Sequence, residues 1–271
     1  MTRADLKRWV RIEAGSFQMG SDCGSYPEDG EGPEREVHLE YYDIAASAVS
    51  NIEFTAFVHE TGYRTTAEIR GSSHVFHLQL FSPNEHPIAN AAVPWWREVE
   101  GACWHAPFGP DSLAEPSHPA VHLSWYDAQA FCEWEGVRLP TEAEWEKAAK
   151  AGQNKDVNPQ DLNIWRGEFP SNPTSSVGPV DVNAGPINAV GIHQMNGNVW
   201  EWTADGFSKL HSPRPQRNPS GALNAARKVV KGGSFLCHDS YCGRYRNHSR
   251  RAELPSMTAS HMGFRVARNS R

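Results

Sequence analysis

The chain has 271 residues, 39% of them apolar, with ten Trp, eleven Phe and seven Tyr to fill a sizeable core; one domain over residues 1–271 is the expected division. A net charge of −6, with no long Lys/Arg run, argues against a nucleic-acid partner. No stretch approaches the length of a membrane-spanning helix, and the opening "MTRADLKRWVRIEAGSF" has no apolar signal-peptide core, so a cytoplasmic protein with no membrane partner is expected.

Gly and Pro number 22 and 19, which predicts many loops and short elements. Along the chain, Val10, Ile12, Phe17 and Met19 alternate around "EAG" between Trp9 and Gly20, the pattern of a hairpin at a sheet edge. A polar Gly/Pro-rich loop, "CGSYPEDGEGPERE", follows and carries Cys23. Three helix starts then share one grammar, a capping hydroxyl three residues before a carboxylate: Ser50 with Glu53, Ser124 with Asp127, and Thr141 with Glu144. Asp127, one carbon shorter, is expected to be the weakest of the three partners.

The first helix should bury Phe54, Phe57 and Val58 and stop at Gly62. The second should bury Ala128, Phe131 and Cys132 before Gly136, which makes Cys132 a core thiol. The third should bury Trp145, Ala148 and Ala149 before Gly152. From Arg64 to His122, and again from Gln153 to Ile192, periodicity fades into turn formers and aromatics; such stretches are functional or packed by their own side chains.

The chain has five cysteines, and "GGSFLCHDSYCGRYR" sets Cys237 and Cys242 five positions apart. An odd count in a reducing compartment argues against a disulfide framework. In an extended strand the two Cα atoms would lie about 16 Å apart, beyond disulfide reach; in a helix the side chains would diverge by about 140°. A turn at His238, Asp239 and Ser240 would bring them together. A converged thiolate pair suits copper(I), the softest common ion, and Arg244, Arg246 and Arg250 would favour thiolate over thiol. On spacing alone a metal pair, a redox disulfide and plain packing all remain open. Cys23 and Cys103 have no partner at metal spacing, and Asn247-His-Ser matches a glycosylation pattern of the kind that arises by chance.

"RKVVKGGSFLCHDSYCGRYRNHSR" closely resembles the C-terminal signature of formylglycine-generating enzymes, the copper-dependent oxidases that mature sulfatases by converting a peptide cysteine to formylglycine. "GSFQMGS", "PEDGEGPEREVHL", "PWWREVEGACWHAPFGPDS", "HPAVHLSWYDAQAFCEWEGVRLPTEAEWEKAA", "NIWRGEFP", "GNVWEWTAD" and "GFRVA" recur in the family's order, so the resemblance spans almost the whole chain. "RLPTEAEWE" and "GNVWEW" are shared with sulfoxide synthases and noncatalytic paralogues; the cysteine pair is the sharper signal.

The resemblance implies an α+β, C-type-lectin-like fold with little regular secondary structure. It implies that Cys237 and Cys242 hold copper(I), that a substrate thiolate joins them, that O2 binds next, and that the substrate's β-carbon loses hydrogen before water replaces sulfur to leave an aldehyde. Ser234 matches the active-site serine and Trp200 an aromatic wall. Ser72, Ser73, His74, Trp96, His238, Arg250 and His261 make up the implied substrate-facing set. A structural calcium is implied at Gln194, Asn196, Gly197, Val199 and Glu201, partly through backbone carbonyls.

The chain also departs from the family. After "NIWRGEFP" it carries "SNPTSSVGPV" in place of an acidic, Gly-rich loop, which leaves Asn163 and Ile164 without the partners of a second calcium site. "ELPSMT" replaces "NTPDSS" beside the substrate groove. Ser72 and Ser73 stand where some relatives place an acid that meets the substrate arginine, and His74 replaces an aromatic. The substrate is therefore either a sulfatase Cys-x-Pro-x-Arg segment or another thiol, borne by a small molecule or a biosynthetic peptide. A noncatalytic lectin-like binding module is the third alternative.

Overall fold

The computed structural model describes residues 8–151, 158–222 and 224–269. Strands β1 (Trp9–Ile12), β2 (Gly15–Met19), β3 (Arg35–Leu39) and β4 (Tyr42–Ala45) precede helices α1 (Asn51–Thr61) and α2 (Thr66–Arg70), then β5 (Ser72–Phe76) and β6 (Trp96–Glu100). Helices α3 (Trp125–Glu135) and α4 (Glu142–Lys150) follow. The remainder is strand and loop: β7 (Gly167–Glu168), β8 (Asn172–Pro173), β9 (Trp200–Gly206), β10 (Gln216–Arg217), β11 (Lys228–Lys231), β12 (Arg250–Glu253), β13 (Met262–Phe264) and β14 (Ala267–Asn269). Few helices, small sheets and long loops make this the expected α+β architecture.

All three helix starts form reciprocal capping boxes. Asp127 is not a weak partner. Besides closing its box on the Ser124 amide at 2.7 Å, it accepts from Tyr63 Oη at 3.0 Å and the Thr66 amide at 2.9 Å, so the shorter side chain ties α3 to the start of α2. A fourth box, Thr65 with Glu68, starts α2, which is too short for apolar periodicity to reveal. α1 and α2 stop at Gly62 and Gly71, and α3 at Gly136, each in the left-handed conformation; α4 stops the same way one residue earlier than expected, at Ala151, and Gly152 lies outside the described residues.

Trp9–Gly20 is not a hairpin. β1 pairs antiparallel with β4 in the sheet β1-β4-β14, whereas β2 pairs antiparallel with β3 in the sheet β10-β3-β2. Each strand finds a better partner between residues 35 and 45, and the link at Glu13 and Ala14 steps from one sheet to the other. The four-stranded sheet β12-β11-β9-β13 carries the loops that matter most, with β13 parallel to β9 and the other pairs antiparallel.

Phe54, Phe57, Phe131 and Trp104 pack ring against ring between α1 and α3, and Cys132 lies buried among them as a core thiol. A second core joins Trp145 of α4 to Val10, Ile12, Val37 and Ile44. Between α4 and the four-stranded sheet runs a line of buried ion pairs. Arg250 grips Glu142 (2.6 and 2.8 Å), Lys231 reaches Glu146 (3.1 Å), and Arg265 grips Glu201 (2.6 and 2.7 Å). The first two pairs fix the sheet against the helix, and with it the loop between β11 and β12; the third ties β9 to the end of β13, with Trp145 of α4 donating to the same Glu201. Among the described residues no helix is long and apolar enough to cross a membrane.

Candidate functional site

That loop, residues 232–249, begins with two glycines at positive φ, 89° and 73°. A Cβ on Gly233 would lie 3.0 Å from Cys237 Sγ and 2.9 Å from the Arg244 carbonyl, so only glycine lets the chain turn this close to the thiol. The Cys237 amide then donates to Ser234 O (2.9 Å), and the Ser234 amide to Cys237 Sγ (3.3 Å). The expected turn follows: the amides of Tyr241 and Cys242 both donate to His238 O, at 2.9 and 2.7 Å. His238 Nδ1 lies 2.7 Å from Ser240 Oγ, and Tyr245 Oη donates to Asp239 Oδ1, which pins the turn's outer side.

Cys237 and Cys242 thereby converge as free thiols with sulfurs 3.4 Å apart, 1% and 5% exposed. The Cys237 S–H donates to Cys242, which lowers the Cys242 thiol despite burial; Arg251 and Arg244 lower it further. Burial, together with that donated bond, pushes Cys237 up. The pair is thus poised to hold one proton between two sulfurs, with Cys242 the better anion.

The cations responsible are only partly those expected. Arg250 points away, its guanidinium spent on Glu142 and on the carbonyls of Asp29 and Ser208. Arg246 lies over the Tyr245 ring at 5.6 Å. Arg251 contributes instead: consecutive residues of a strand face opposite sides, so Arg250 turns to α4 while Arg251 pairs with Glu253 at 2.8 Å, and its charge still favours the Cys242 thiolate. That assignment needs the strand itself, which the unpatterned "SRRAE" does not announce.

Ser234 is buried, its Oγ accepting from the Leu236 amide. Trp200 is buried in the same apolar cluster as both cysteines, and its amide donates to His261 O at 2.9 Å. The Trp165 amide donates to Cys237 O. Beside Cys242, Tyr241 stacks on Phe169 (4.3 Å between centroids), and Trp95 stands edge-on to both. Trp96 and His261 lie ring to ring at 4.6 Å; His261 Nδ1 is buried without a partner, and burial, reinforced by Arg251, lowers this imidazole well below its ordinary value.

The two rewritten segments are neighbours. The His74 amide donates to Thr258 O and the Ser260 amide to His74 O, so β5 runs beside residues 258–260. Ser72 Oγ donates to Glu98 on the adjacent β6 at 2.7 Å, and His74 sits opposite Glu98 in the ladder. Ser73 does not face outward. It is fully buried between Thr258 Oγ1 (2.9 Å) and His122 Nδ1 (2.8 Å), an internal post under the groove.

The 194–201 loop offers less to a hard cation than its sequence implies. Arg265 occupies both carboxylate oxygens of Glu201, and Trp145 Nε1 adds a further bond; Asn196 Nδ2 donates to Tyr245 O and to Asn247 Oδ1. Gln194 Oε1, by contrast, is a buried acceptor without a partner. Gly197 holds a positive φ with its amide on Gly232 O, and Val199 is buried. Asn163 bonds Gly178 O and Asn198 Oδ1. Among the described residues no cluster of three or more His, Cys, Asp or Glu is placed to hold a metal. Cys23 is exposed, and Cys103 is buried beside Ala67 and Ala106, in a cluster apart from the one that holds the thiol pair.

The sulfatase-modifying factor enzyme 1-like domain model matches residues 1–270. A formylglycine-generating enzyme of Thermomonospora curvata is 45% identical over 284 residues, covering 96% of this chain and 93% of the relative; that of Bos taurus is 44% identical over 277 residues, covering 96% and 74%. Among solved structures, PvdO from Pseudomonas aeruginosa matches with a TM-score of 0.71 at 23% identity, covering 97% of this chain and 94% of that one, a likeness of fold. With that coverage and identity, and with the motifs in family order on the same architecture, the chain belongs to the formylglycine-generating enzyme (sulfatase-modifying factor) family.

Proposed function

We propose that the protein is a copper-dependent, O2-using oxidase that converts a substrate cysteine to Cα-formylglycine in sulfatase maturation. The observation that carries the reading is the buried Cys237/Cys242 pair with its sulfurs 3.4 Å apart. Two soft donors in an apolar cluster fit copper(I) better than zinc, which would want two more ligands, and no third His, Cys, Asp or Glu joins them among the described residues. Copper(I) bound there would supply activation of O2 and a binding point for the substrate thiolate.

This chain's own residues do the rest. Holding copper(I) would require Cys237 and Cys242 to give up the proton they share, and the charges of Arg251 and Arg244, themselves paired with Glu253 and Asp29, favour that loss. Trp200 and the Trp95/Phe169/Tyr241 cluster keep water from the sulfurs, and Trp96 with His261 lines the approach. His261 enters neutral and can accept a hydrogen bond from substrate at Nδ1. A calcium in the 194–201 loop would be held by Gln194 Oε1 and backbone carbonyls, not by Glu201.

A second reading rests on the groove: Ser73 is an internal post, and Ser72 leans on Glu98. An oxidase of this family acting on a different thiol would carry such a surface. Copper-loaded protein incubated in air with a Cys-x-Pro-x-Arg peptide should lower the peptide mass by the cysteine-to-formylglycine difference, and Cys237→Ser should lose both conversion and tight copper(I) binding. An unchanged peptide with copper bound selects the other thiol; equal copper(I) affinity in Cys237→Ser removes the metal site.

A further inference from the structure

The polar loop between β2 and β3 is folded over the cysteine turn, and its contacts there are specific. Tyr26 Oη accepts the Gly243 amide at 2.7 Å, immediately after Cys242. The Arg244 guanidinium lies 3.6 Å above the Tyr26 ring, donates to Asp29, and reaches Glu28 at 3.4 Å. Glu31 is buried and links this loop to the end of the cysteine loop: Oε2 accepts from the Tyr26 amide and Oε1 from Ser249 Oγ, each at 2.8 Å. Gly243 itself is tightly seated, since a Cβ there would sit 3.1 Å from Tyr26 Oη and from Asp239 Oδ1.

The cysteine loop has little regular structure of its own, so its shape depends on outside contacts. Cys237 is fixed from within by the Ser234 turn; Gly243 and Arg244, the two residues that follow Cys242, are held by this loop, and Tyr245 and Asn247 by Asn196. We propose that Tyr26 and Asp29 are positioning residues for the thiol pair: through the Gly243 amide and Arg244 they hold Cys242 beside Cys237, so that both sulfurs can serve one copper(I) ion. A buried backbone amide and a guanidinium are both satisfied by one short segment, so losing either contact frees the turn at the ligand itself.

The inference rests on the copper reading for its metal half, and its test separates the two. Copper(I) affinity is measured by competition with a chromophoric copper(I) chelator, and backbone hydrogen exchange by mass spectrometry, on full-length wild type, Tyr26→Phe, Asp29→Asn and Asp29→Glu. Tyr26→Phe keeps the ring under Arg244 and removes only the acceptor; Asp29→Glu keeps the charge. Expected is about a tenfold loss of copper(I) affinity in Tyr26→Phe and Asp29→Asn, the size of one lost hydrogen bond, with partial recovery in Asp29→Glu. Exchange should quicken over residues 237–246 and stay unchanged in β2 and β3, and kcat should fall with KM unchanged. Affinities within twofold of wild type overturn the proposal, even if exchange quickens. If wild type binds no copper(I), the copper reading falls, and exchange alone then decides whether the loop holds the turn: unchanged exchange over 237–246 overturns it.

Discussion

His122 shows how much one buried side chain can set. It holds a φ of 61°, a conformation rare for a residue with a side chain, and it is fully enclosed with Nδ1 on Ser73. Burial lowers its imidazole to about 3, and burial likewise lowers His211 to about 4. Between those values and the ordinary 6.5 the unfolded chain takes up protons that the folded chain refuses, so this stability is complete above pH 6.5 and is lost as pH falls. Glu142 acts in the same sense lower down: burial opposes its charge, yet Arg250 and Lys231 prevail and hold it at about 2. Asp205, pushed up to about 6 by burial, acts in the opposite sense, but it is one group against several. The urea midpoint should therefore fall steadily from pH 6.5 to 4, and His122→Asn, which tolerates the positive φ, should flatten that limb; an unchanged slope would show that His122 is not a main contributor. Ser73, His122 and Thr258 also mark where single-residue reading stopped. Their contacts join positions 49 and 185 apart in sequence, and nothing local in "GSSHVF" says that the second serine is internal.

Elements whose signals are local were legible. A capping box is written within four residues, and all three expected starts formed; a turn at 238–240 was the one local way to bring Cys237 and Cys242 together, though spacing alone did not require that they meet, and the chain makes it. Strand pairing was not legible, because the partner of β1 lies some thirty residues on and the alternation in Trp9–Gly20 fits a hairpin equally well. The same blindness hid Arg251 behind Arg250. Asp127 offers a test at this scale. Its carboxylate caps α3 and also receives Tyr63 and Thr66, whereas Thr65 caps only the short α2. Chemical denaturation should show Thr65→Ala costing about 1 kcal/mol and Asp127→Ala about 3 kcal/mol, since several donors lose a buried partner at once. Equal costs would mean that the extra contacts contribute nothing.

Across the whole molecule, stability and site share one set of buried charges. Lys231 is fully enclosed between Glu146 and the Trp145 ring, and Arg250, Glu142 and Glu146 continue the line from α4 to the sheet that bears the cysteine loop. Removing one member strands its partners in a low-dielectric interior, so Lys231→Met should cost about 3–5 kcal/mol in denaturant unfolding while leaving the cysteines and their flanking sequence untouched. A loss under 1 kcal/mol would show that Lys150, also on Glu146, suffices alone.

The order of strands carries a consequence for synthesis. β13 is the parallel neighbour of β9, and β14 completes the sheet begun by β1 and β4, so the last residues of the chain close structures opened by the first. The loop that clasps the cysteine turn comes from residues 20–34, while the turn itself comes more than two hundred residues later. A chain still emerging from the ribosome can display every helix and hold no thiol pair. The Tyr26 clasp can therefore close only after the residues around Gly243 have been made.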